Sequence, residues 1–368
     1  MAPGSKSTRP LAGRTCDYTG MMPSIAKTPH IRRRPGKPAP RPATRPAISK
    51  PWSLDTVGGI QILELAPFKK YPWLVHGFST RNRGASVLAS GERVLNLGFT
   101  EWDNREAVLK NRQAFQSAIG AAASTLVPLR QFHSSVVQFF AEAPGESCKG
   151  DASFTNTSGL LLAVQTADCV PILLVDQKKR AVAAIHAGWR GTLARIAGKT
   201  VGEMRMRFGT NPADILAALG PAIGGCCYEV GTELVTEFTS QFADAEEYFD
   251  ELRTGEEPNP LQWLNMMPPG HQPPPKNVRL DLRKANRSQL LAAGLRRANI
   301  FVSDLCTACR SDLFFSYRKE GDISGRLLSA IGLRLNGKQN VQRYCDLMKR
   351  LKHIKPGRKF TREEMNER

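Results

Sequence analysis

Residues 160–191 decide the fold of this chain and read LLLAVQTADCVPILLVDQKKRAVAAIHAGWRG. Two apolar runs in this stretch, 160–164 and 181–185, have the length and composition of buried strands. Cys169 follows the first run within a few residues, and His186 follows the second run directly. We therefore expect the two strand ends to bring a thiol and an imidazole to a common cleft.

A second histidine precedes another strand-like run. The tetrapeptide Arg130-Gln-Phe-His133 comes ahead of the apolar run 136–140. Together, His133, Cys169 and His186 offer three nitrogen or sulfur ligands and leave one tetrahedral position open, which is typical of catalytic zinc sites. Their spacings of 36 and 17 residues exclude local motifs such as His-Glu-x-x-His, so the ligands come from separate elements. On spacing alone, one buried cysteine and two ordinary histidines explain the pattern equally well.

The net charge of +19 is concentrated at the two ends of the chain. Residues 1–50 carry eleven lysines or arginines against one acid, and residues 335–368 carry ten against four acids. Ten prolines among the first 51 residues disfavour a helix or a sheet ladder there. We predict a disordered basic arm over 1–53, one folded domain over 54–335 and a basic C-terminal tail over 336–368.

The basic ends have alternative interpretations. They suit a weak, nonspecific contact with nucleic-acid phosphates or with a membrane surface, but they lack the interleaved aromatic residues that stack on bases. An upstream start codon, with initiation at Met21 or Met22, is a further interpretation of the N-terminal arm. An RNA-associated protein is therefore one function class that the charge leaves open.

The folded region is predicted to mix strands and helices. The segment 74–79 is strand-like, and Asp103 is placed to cap a helix over 103–119. Thr192 is placed to cap a second helix, whose residues 193–208 present one apolar face. Because several strands also follow one another without a helix, the pattern favours an α/β domain of the mixed α+β kind, with mixed β-sheets flanked by helices, over a doubly wound sheet.

Eight cysteines occur without a secretory signal, so free or metal-bound thiols in a reducing cytoplasm are expected rather than disulfides. Cys226 and Cys227 are adjacent and are predicted to be packing residues. Cys306-Thr-Ala-Cys309 has the spacing of a redox or zinc motif, but no second Cys-x-x-Cys completes a closed site, so we interpret it as structural. The sequence has no run of eighteen apolar residues, which argues against a transmembrane helix.

Five groups of residues, in this order along the chain, resemble the motifs of one family: Gly150-Asp-Ala-Ser-Phe-Thr155, Gln165-Thr-Ala-Asp-Cys-Val-Pro171, His186-Ala-Gly-Trp-Arg-Gly191, Gly220-Pro-Ala-Ile-Gly-Gly-Cys-Cys-Tyr-Glu-Val230, and Cys306-Thr-Ala-Cys309 with Phe314-Phe-Ser-Tyr-Arg318. The chain is similar in them to the laccase-domain family, once labelled multicopper polyphenol oxidoreductases and now understood as purine nucleoside enzymes. The resemblance covers about residues 74–334. This chain departs from the family pattern at Ser134, where a glycine usually follows the first ligand histidine.

The resemblance implies a zinc or copper site on His133, Cys169 and His186. It also implies phosphorolysis of adenosine, inosine and methylthioadenosine to free base and (methylthio)ribose 1-phosphate, together with adenosine deamination. Deamination at purine C6 suits such a site, because zinc with an open position lowers the pKa of bound water toward roughly 7. Purine nucleosides and phosphate are therefore the expected substrates, and zinc, with copper as the alternative, is the expected cofactor.

Asp168 is a further candidate because it stands beside the predicted ligand Cys169. We predict that Asp168 acts as a general acid or base, or as the acceptor that orients a ligand histidine. The alternative interpretation of Asp168 is a turn residue at the end of a strand.

Arginines are the candidates for binding phosphate. Arg190 is followed by Gly191 and by the helix predicted from Thr192, which would place its guanidinium beside free N–H groups at a helix N-terminus. Arg318 and Arg326 are the other candidates. The alternative interpretation is that each arginine forms a surface ion pair.

Two other enzyme classes compete with this interpretation. A multicopper oxidase needs a blue-copper centre and a trinuclear cluster, which together use about ten histidines, whereas this chain has six. That architecture is therefore excluded, although a single copper at the three ligands is not. A cysteine hydrolase acting on amides, with Cys169 as nucleophile and His186 as base, uses the same residues without a metal and stays as the alternative.

Overall fold

The computed structural model describes residues 48–251 and 278–335, so the predicted arm up to residue 47 and the tail from residue 336 lie outside it. The strands are β1 Trp52–Val57, β2 Ile60–Leu65, β3 Leu74–Ser79, β4 Asn82–Val87, β5 Arg93–Val94, β6 Thr125–Pro128, β7 Val137–Phe139, β8 Ala152–Thr155, β9 Leu160–Thr166, β10 Val170–Asp176, β11 Ala181–Ala187, β12 Ile215–Leu219, β13 Glu229–Val230, β14 Phe249–Glu251, β15 Val278–Leu280, β16 Ile300–Val302 and β17 Leu327–Leu333. The helices are α1 Ala66–Lys69, α2 Arg105–Ala118, α3 Trp189–Leu193, α4 Ile196–Phe208, α5 Glu233–Thr239, α6 Leu282–Ala292 and α7 Tyr317–Glu320. Within the described residues, none of these helices has the length and hydropathy to cross a membrane.

Most of the strands form two mixed six-stranded sheets. The first has the order β1-β2-β3-β17-β9-β6, and the second has the order β16-β12-β10-β11-β8-β7. Most pairs are antiparallel, but β6 pairs parallel with β9, β7 with β8, and β12 with β16. This arrangement confirms the predicted mixed α+β architecture.

Alternate residues of the central strands face different layers of the core. On β10, Leu173 and Val175 pack with residues of the first sheet such as Leu162, so the two sheets lie face to face. Ile172 and Leu174 of the same strand pack with residues of α4 and α6. Helix α2 packs on the outer face of the first sheet. Strands that are buried on both faces are continuously apolar, which explains why the apolar runs in the sequence do not alternate with polar residues.

Helix α2 confirms a predicted helix but begins after Asn104 rather than at Asp103. The side chain of Asn104 is the N-cap and accepts a hydrogen bond from Glu106 N at 2.7 Å. The carboxylate of Asp103 instead accepts hydrogen bonds from Ser86 Oγ at 2.5 Å and from Asn96 Nδ2 at 2.7 Å. Asp103 therefore ties the start of the helix to the segment around β4 and β5.

The helix predicted from Thr192 is two helices, and the prediction of Thr192 as its cap is wrong. Helix α3 begins at Trp189 after the N-cap Gly188, and Arg195, in a left-handed conformation with φ of 60°, separates α3 from α4. Thr192 is buried inside α3, where Asn286 Nδ2 of α6 donates to its hydroxyl at 2.9 Å. A tertiary contact thus engages the hydroxyl that was expected to cap a helix.

Candidate active site

His133, Cys169 and His186 come from separate segments of the chain and converge. Their ligating atoms all lie within 4.8 Å of one another, and His133 Nε2 lies 3.9 Å from Cys169 Sγ. Cys169 stands between β9 and β10, whereas His186 lies on β11, where the antiparallel register places it opposite Pro171. The pairing of β10 with β11 therefore positions two of the three side chains, and the loop before β7 brings the third.

Asp151 is absent from the residues predicted by sequence, yet it organises this site from a fully buried position. Its Oδ1 accepts hydrogen bonds from His186 Nδ1 at 2.8 Å and from His133 N at 3.0 Å. Its Oδ2 accepts from Ser134 N at 2.7 Å and from Ser134 Oγ at 2.6 Å. The role of orienting a histidine, which was predicted for Asp168, therefore belongs to Asp151. Asp151 directly precedes a buried strand, and this position in the sequence could have indicated its role.

Asp151, Cys169 and His186 each stabilise the charged form of a neighbour. Burial alone would raise the pKa of Asp151, but hydrogen bonds from His186 and Ser134 outweigh it and lower that pKa to about 2. Burial also opposes ionisation of Cys169 and His186, but the attraction between them outweighs it. The pKa of the Cys169 thiol falls to about 6, and the pKa of His186, which also bonds Asp151, rises to about 9. The lowered pKa favours the thiolate form of Cys169, which is the form that binds metals.

The three side chains fit a metal ion. Because Asp151 engages Nδ1 of His186, Nε2 of that ring is left to act as a ligand. A tetrahedral zinc with bonds of about 2.1 Å to nitrogen and about 2.3 Å to sulfur separates those two atoms by about 3.6 Å. The observed 3.9 Å between His133 Nε2 and Cys169 Sγ is close to that separation.

Gly188 allows the ligands to approach one another. A Cβ at this position would lie 2.9 Å from His133 Cδ2 and 3.1 Å from Cys169 Sγ. The backbone of Gly188, with φ of −74°, is accessible to any residue. The requirement for glycine is therefore steric, because a larger residue would push the imidazole and the sulfur aside.

We expect Gly188→Ala to weaken zinc binding by about 10–100-fold, the range that follows when ligand orientation is disturbed. Competition with a chelating dye measures this affinity. The matched control is Gly198→Ala in α4, where an added Cβ meets nothing within 4 Å. Equal zinc affinity in the two variants would contradict the steric role of Gly188.

The three side chains open onto a cleft of about 1060 Å³, which is large enough for a small metabolite. Both aromatic and basic side chains line it. The aromatic and charged lining consists of Phe99, Trp189, Tyr228, Tyr317, Arg112, Arg130, Arg190, Arg318, Arg326, Asp168 and Asp322. This lining suits a ligand that has both a flat ring and an anionic group.

Asp168 lies in the wall of the cleft and is buried. Its Oδ1 accepts a hydrogen bond from Thr307 Oγ1 at 2.6 Å, and its Oδ2 accepts from Arg318 N at 2.6 Å. Burial raises the pKa of Asp168 although these hydrogen bonds oppose the shift. Each carboxylate oxygen has two lone pairs, so Asp168 can also accept a hydrogen bond from a ligand in the cleft.

Arg190 lies in the first turn of α3, not before a helix starting at Thr192, so the predicted long helix N-terminus beside it is absent. Its guanidinium lies 4.3 Å from the centre of the Trp189 ring. Among the described residues, no hydrogen bond or ion pair engages the guanidinium of Arg190. Its five donors are therefore available to a ligand in the cleft.

Arg318 and Arg326 also line the cleft, and the described residues give neither of them a surface ion pair. Arg318 Nη1 donates to Glu229 O at 2.6 Å, and its guanidinium lies 4.9 Å from the Tyr228 ring centre. Arg326 Nη1 donates to Ser324 O at 2.9 Å. Backbone carbonyls therefore fix both guanidinium groups without neutralising them.

Arg112 is a cleft residue that the sequence did not indicate. It is buried on α2, donates from Nε to Leu97 O at 2.9 Å, and stacks 4.4 Å from the centre of the Phe99 ring. Burial lowers the pKa of Arg112 to about 10, so its guanidinium is still charged at neutral pH. A buried cation in the wall adds to the anion-binding character of the cleft.

Comparisons with known proteins show the family to which the chain belongs. Residues 75–334 match the family described as multi-copper polyphenol oxidoreductase laccase. The purine nucleoside phosphorylase YlmD of Geobacillus stearothermophilus is 35% identical over 274 residues, which cover 71% of this chain and 90% of that protein. The adenosine deaminase RL5, from an unknown prokaryotic organism, is 36% identical over 278 residues, which cover 73% of this chain and 98% of that protein.

A solved structure is also similar. The crystal structure of YfiH from Bacillus licheniformis has 30% sequence identity and a TM-score of 0.66, and the match covers 78% of this chain and all of that one. The fold and site define a laccase-like domain. The chain belongs to the family described as multi-copper polyphenol oxidoreductase laccase, as its motifs predicted.

Proposed function

We propose that this chain is a metal-dependent purine nucleoside enzyme, which phosphorolyses adenosine, inosine and methylthioadenosine and deaminates adenosine. The proposal rests on the convergence of His133, Cys169 and His186 in a cleft with a basic and aromatic lining. The basic groups suit phosphate, and the aromatic rings suit a purine. Similar proteins named purine nucleoside phosphorylase and adenosine deaminase support both activities.

Zinc, with copper as the alternative, would be held by the two histidines and Cys169. When bound, it supplies a water that is nucleophilic at neutral pH, as deamination at purine C6 requires. Asp151 keeps the ring of His186 in one orientation through its Nδ1 hydrogen bond. The protein residues thereby present three ligands with little rearrangement.

Phosphorolysis joins a phosphate oxygen to ribose C1′ and breaks the bond from C1′ to the purine nitrogen, so the departing base takes up a proton. We assign delivery of that proton to Asp168, whose raised pKa favours its protonated form more than that of an ordinary aspartate. Arg190 is the proposed phosphate ligand, because its guanidinium can donate two parallel hydrogen bonds to one anion. Arg318 and Arg326 are the other proposed phosphate ligands.

A cysteine hydrolase is the second candidate, because one observation also favours it. In such an enzyme Cys169 would be the nucleophile and His186 the base. Asp151 would orient His186, whose Nδ1 lies 2.8 Å from Asp151 Oδ1. A chelator distinguishes the two candidates. Amide hydrolysis that persists in a chelator and is blocked by alkylation of Cys169 would favour the hydrolase.

The direct experiment is to incubate the purified, metal-loaded protein with adenosine, with and without phosphate, and to identify the products by chromatography. Without phosphate we expect inosine and ammonia. With phosphate we expect adenine and ribose 1-phosphate in addition. If no nucleoside is consumed under either condition, the proposed function is wrong.

Arg190→Lys is expected to separate the two activities. Lysine keeps the charge but loses the planar fork, so we expect kcat/KM for phosphate in inosine phosphorolysis to fall by about 10–100-fold. Adenosine deamination, which needs no phosphate, and the metal content should change little. The matched control is Arg297→Lys, an exposed arginine outside the cleft. Equal loss of both activities would assign Arg190 to cleft architecture, and unchanged phosphorolysis would assign phosphate to Arg318 or Arg326.

A further inference from the structure

Four cysteines outside the candidate active site form a second cluster, called the four-cysteine cluster below. The Sγ atoms of Cys226, Cys227, Cys306 and Cys309 all lie within 4.8 Å of one another. Cys309 Sγ lies 3.5 Å from Cys226 Sγ and 3.4 Å from Cys227 Sγ. Cys226 and Cys227, predicted from the sequence to be packing residues, thus lie beside Cys306 and Cys309 and supply the second pair that the sequence lacks as a Cys-x-x-Cys motif.

Backbone hydrogen bonds hold the two segments of the cluster together. Ala222 and Cys306 form a parallel bridge, in which Thr307 N donates to Ala222 O at 3.1 Å. Gly224 N donates to Cys306 Sγ at 3.3 Å. Hydrogen bonds from N–H to sulfur stabilise a ligating thiolate and fix its direction. The main chain thus arranges the sulfur atoms before any ligand arrives.

Arg283 supplies positive charge next to the cluster. Its guanidinium pairs with Asp281 at 3.2 Å and donates to Ser303 O at 3.1 Å. A Cβ on Gly224 would lie 2.7 Å from Arg283 Nη2 and 3.2 Å from Cys226 Sγ, so the guanidinium and the thiol both lie against that glycine. Four thiolates around a divalent ion leave an excess of negative charge, and this guanidinium, whose charge Asp281 partly balances, offsets part of that excess.

The distances between the sulfur atoms indicate whether the cluster suits a single metal ion, a disulfide or an iron–sulfur cluster. A tetrahedral ion with metal–sulfur bonds of about 2.3 Å holds its sulfur atoms about 3.8 Å apart. The distances of 3.4 Å and 3.5 Å, with 4.8 Å as the upper bound, bracket that value. A disulfide needs about 2.05 Å, and an iron–sulfur cluster spreads its thiolates further apart than one ion does. We infer that the four-cysteine cluster binds one zinc ion in a closed, structural site.

This site has a consequence for the cleft, because both of its segments contact Asp168. Thr307, next to Cys306, donates from Oγ1 to Asp168 Oδ1 at 2.6 Å, and Ile223 N donates to Asp168 O at 2.9 Å. Tyr228, next to Cys227, lines the same cleft. An ion that joins the two segments would therefore hold one wall of the cleft in place, and we expect its loss to lower the melting temperature.

Metal analysis of the full chain tests the inference. We expect about two ions per chain in the parent and about one in the variant Cys226→Ser with Cys309→Ser. Cys148→Ser, a half-buried cysteine outside both clusters, is the matched control and should retain both ions. A double variant that is folded and holds as much metal as the parent would overturn the inference.

Cobalt substitution tests the same inference without altering the cluster. In Cys169→Ala, the four-cysteine cluster is the candidate metal site left within residues 48–251 and 278–335, and bound cobalt should give the intense sulfur-to-metal absorption of a tetrathiolate centre. Absence of that absorption in the folded Cys169→Ala protein, or a mass that reveals a disulfide among the four cysteines, would overturn the inference. Nucleoside turnover by the parent is measured separately, so failure here leaves the proposed function standing.

Discussion

Cys169→Ala is expected to remove the metal from the cleft and to lower kcat/KM for adenosine deamination by about a thousandfold, or about 4 kcal/mol at 1.36 kcal/mol per tenfold. Alanine removes the only anionic donor of the three, so two histidines would be left to hold the ion. The metal content should fall by about one ion per chain relative to the parent. Elemental analysis and initial rates on the same preparation measure both effects.

Cys148→Ala is the control for this variant, because Cys148 is half-buried and belongs to neither metal-ligand cluster. It should retain the metal and the rate of the parent. Full retention of metal in Cys169→Ala would place the ion elsewhere. Full retention of amide hydrolysis, if the protein has that activity, would exclude Cys169 as the nucleophile of the alternative hydrolase.

Asp151→Asn is expected to have the second largest effect. In asparagine, an NH₂ group replaces one carboxylate oxygen and cannot accept a hydrogen bond. This NH₂ group would face another donor, either Ser134 N or the ring of His186. We expect zinc affinity to fall by about 10–100-fold and the free energy of unfolding to fall by about 1–3 kcal/mol. Chelator competition and urea denaturation measure these changes.

The control for Asp151→Asn is Asp304→Asn, an exposed aspartate that accepts a bond from Ser49 Oγ at 3.1 Å. It should leave both quantities near those of the parent. If Asp151→Asn binds zinc as tightly as the parent, the orientation of His186 does not depend on this carboxylate.

The sequence predicts the central strands and the convergence of His133, Cys169 and His186 because buried strands leave a plain apolar signature. The role of Asp151 could not be predicted in the same way. Its position beside His186 depends on the pairing of β8 with β11, where Ile185 stands opposite Ala152. A single acid in a glycine-containing segment looks like a turn residue until that register is known.

Long-range contacts also explain the other differences. The helix expected from Thr192 was inferred from local capping preference, but Asn286 engages that hydroxyl from 94 residues further along the chain. The four-cysteine cluster depends on the bridge between Ala222 and Cys306, which no spacing rule indicates. Local patterns therefore predicted the elements, whereas contacts between distant residues built the sites.

The family is described as multicopper oxidoreductases, but this chain has too few histidines to bind that set of copper ions. Six histidines are too few for a blue-copper centre and a trinuclear cluster together. Among the described residues, His133 and His186 are the histidines that line the cleft, and buried His76 accepts a hydrogen bond from Leu65 N instead. A single metal ion in a nucleoside-sized cleft is the interpretation that these residues support.

The most direct measurement is the reaction of the metal-loaded protein with inosine and phosphate. The proposed function predicts hypoxanthine and ribose 1-phosphate in equal amounts, with neither formed from inosine when phosphate is omitted. If the folded, metal-loaded protein forms neither product from inosine and phosphate, the central claim is contradicted.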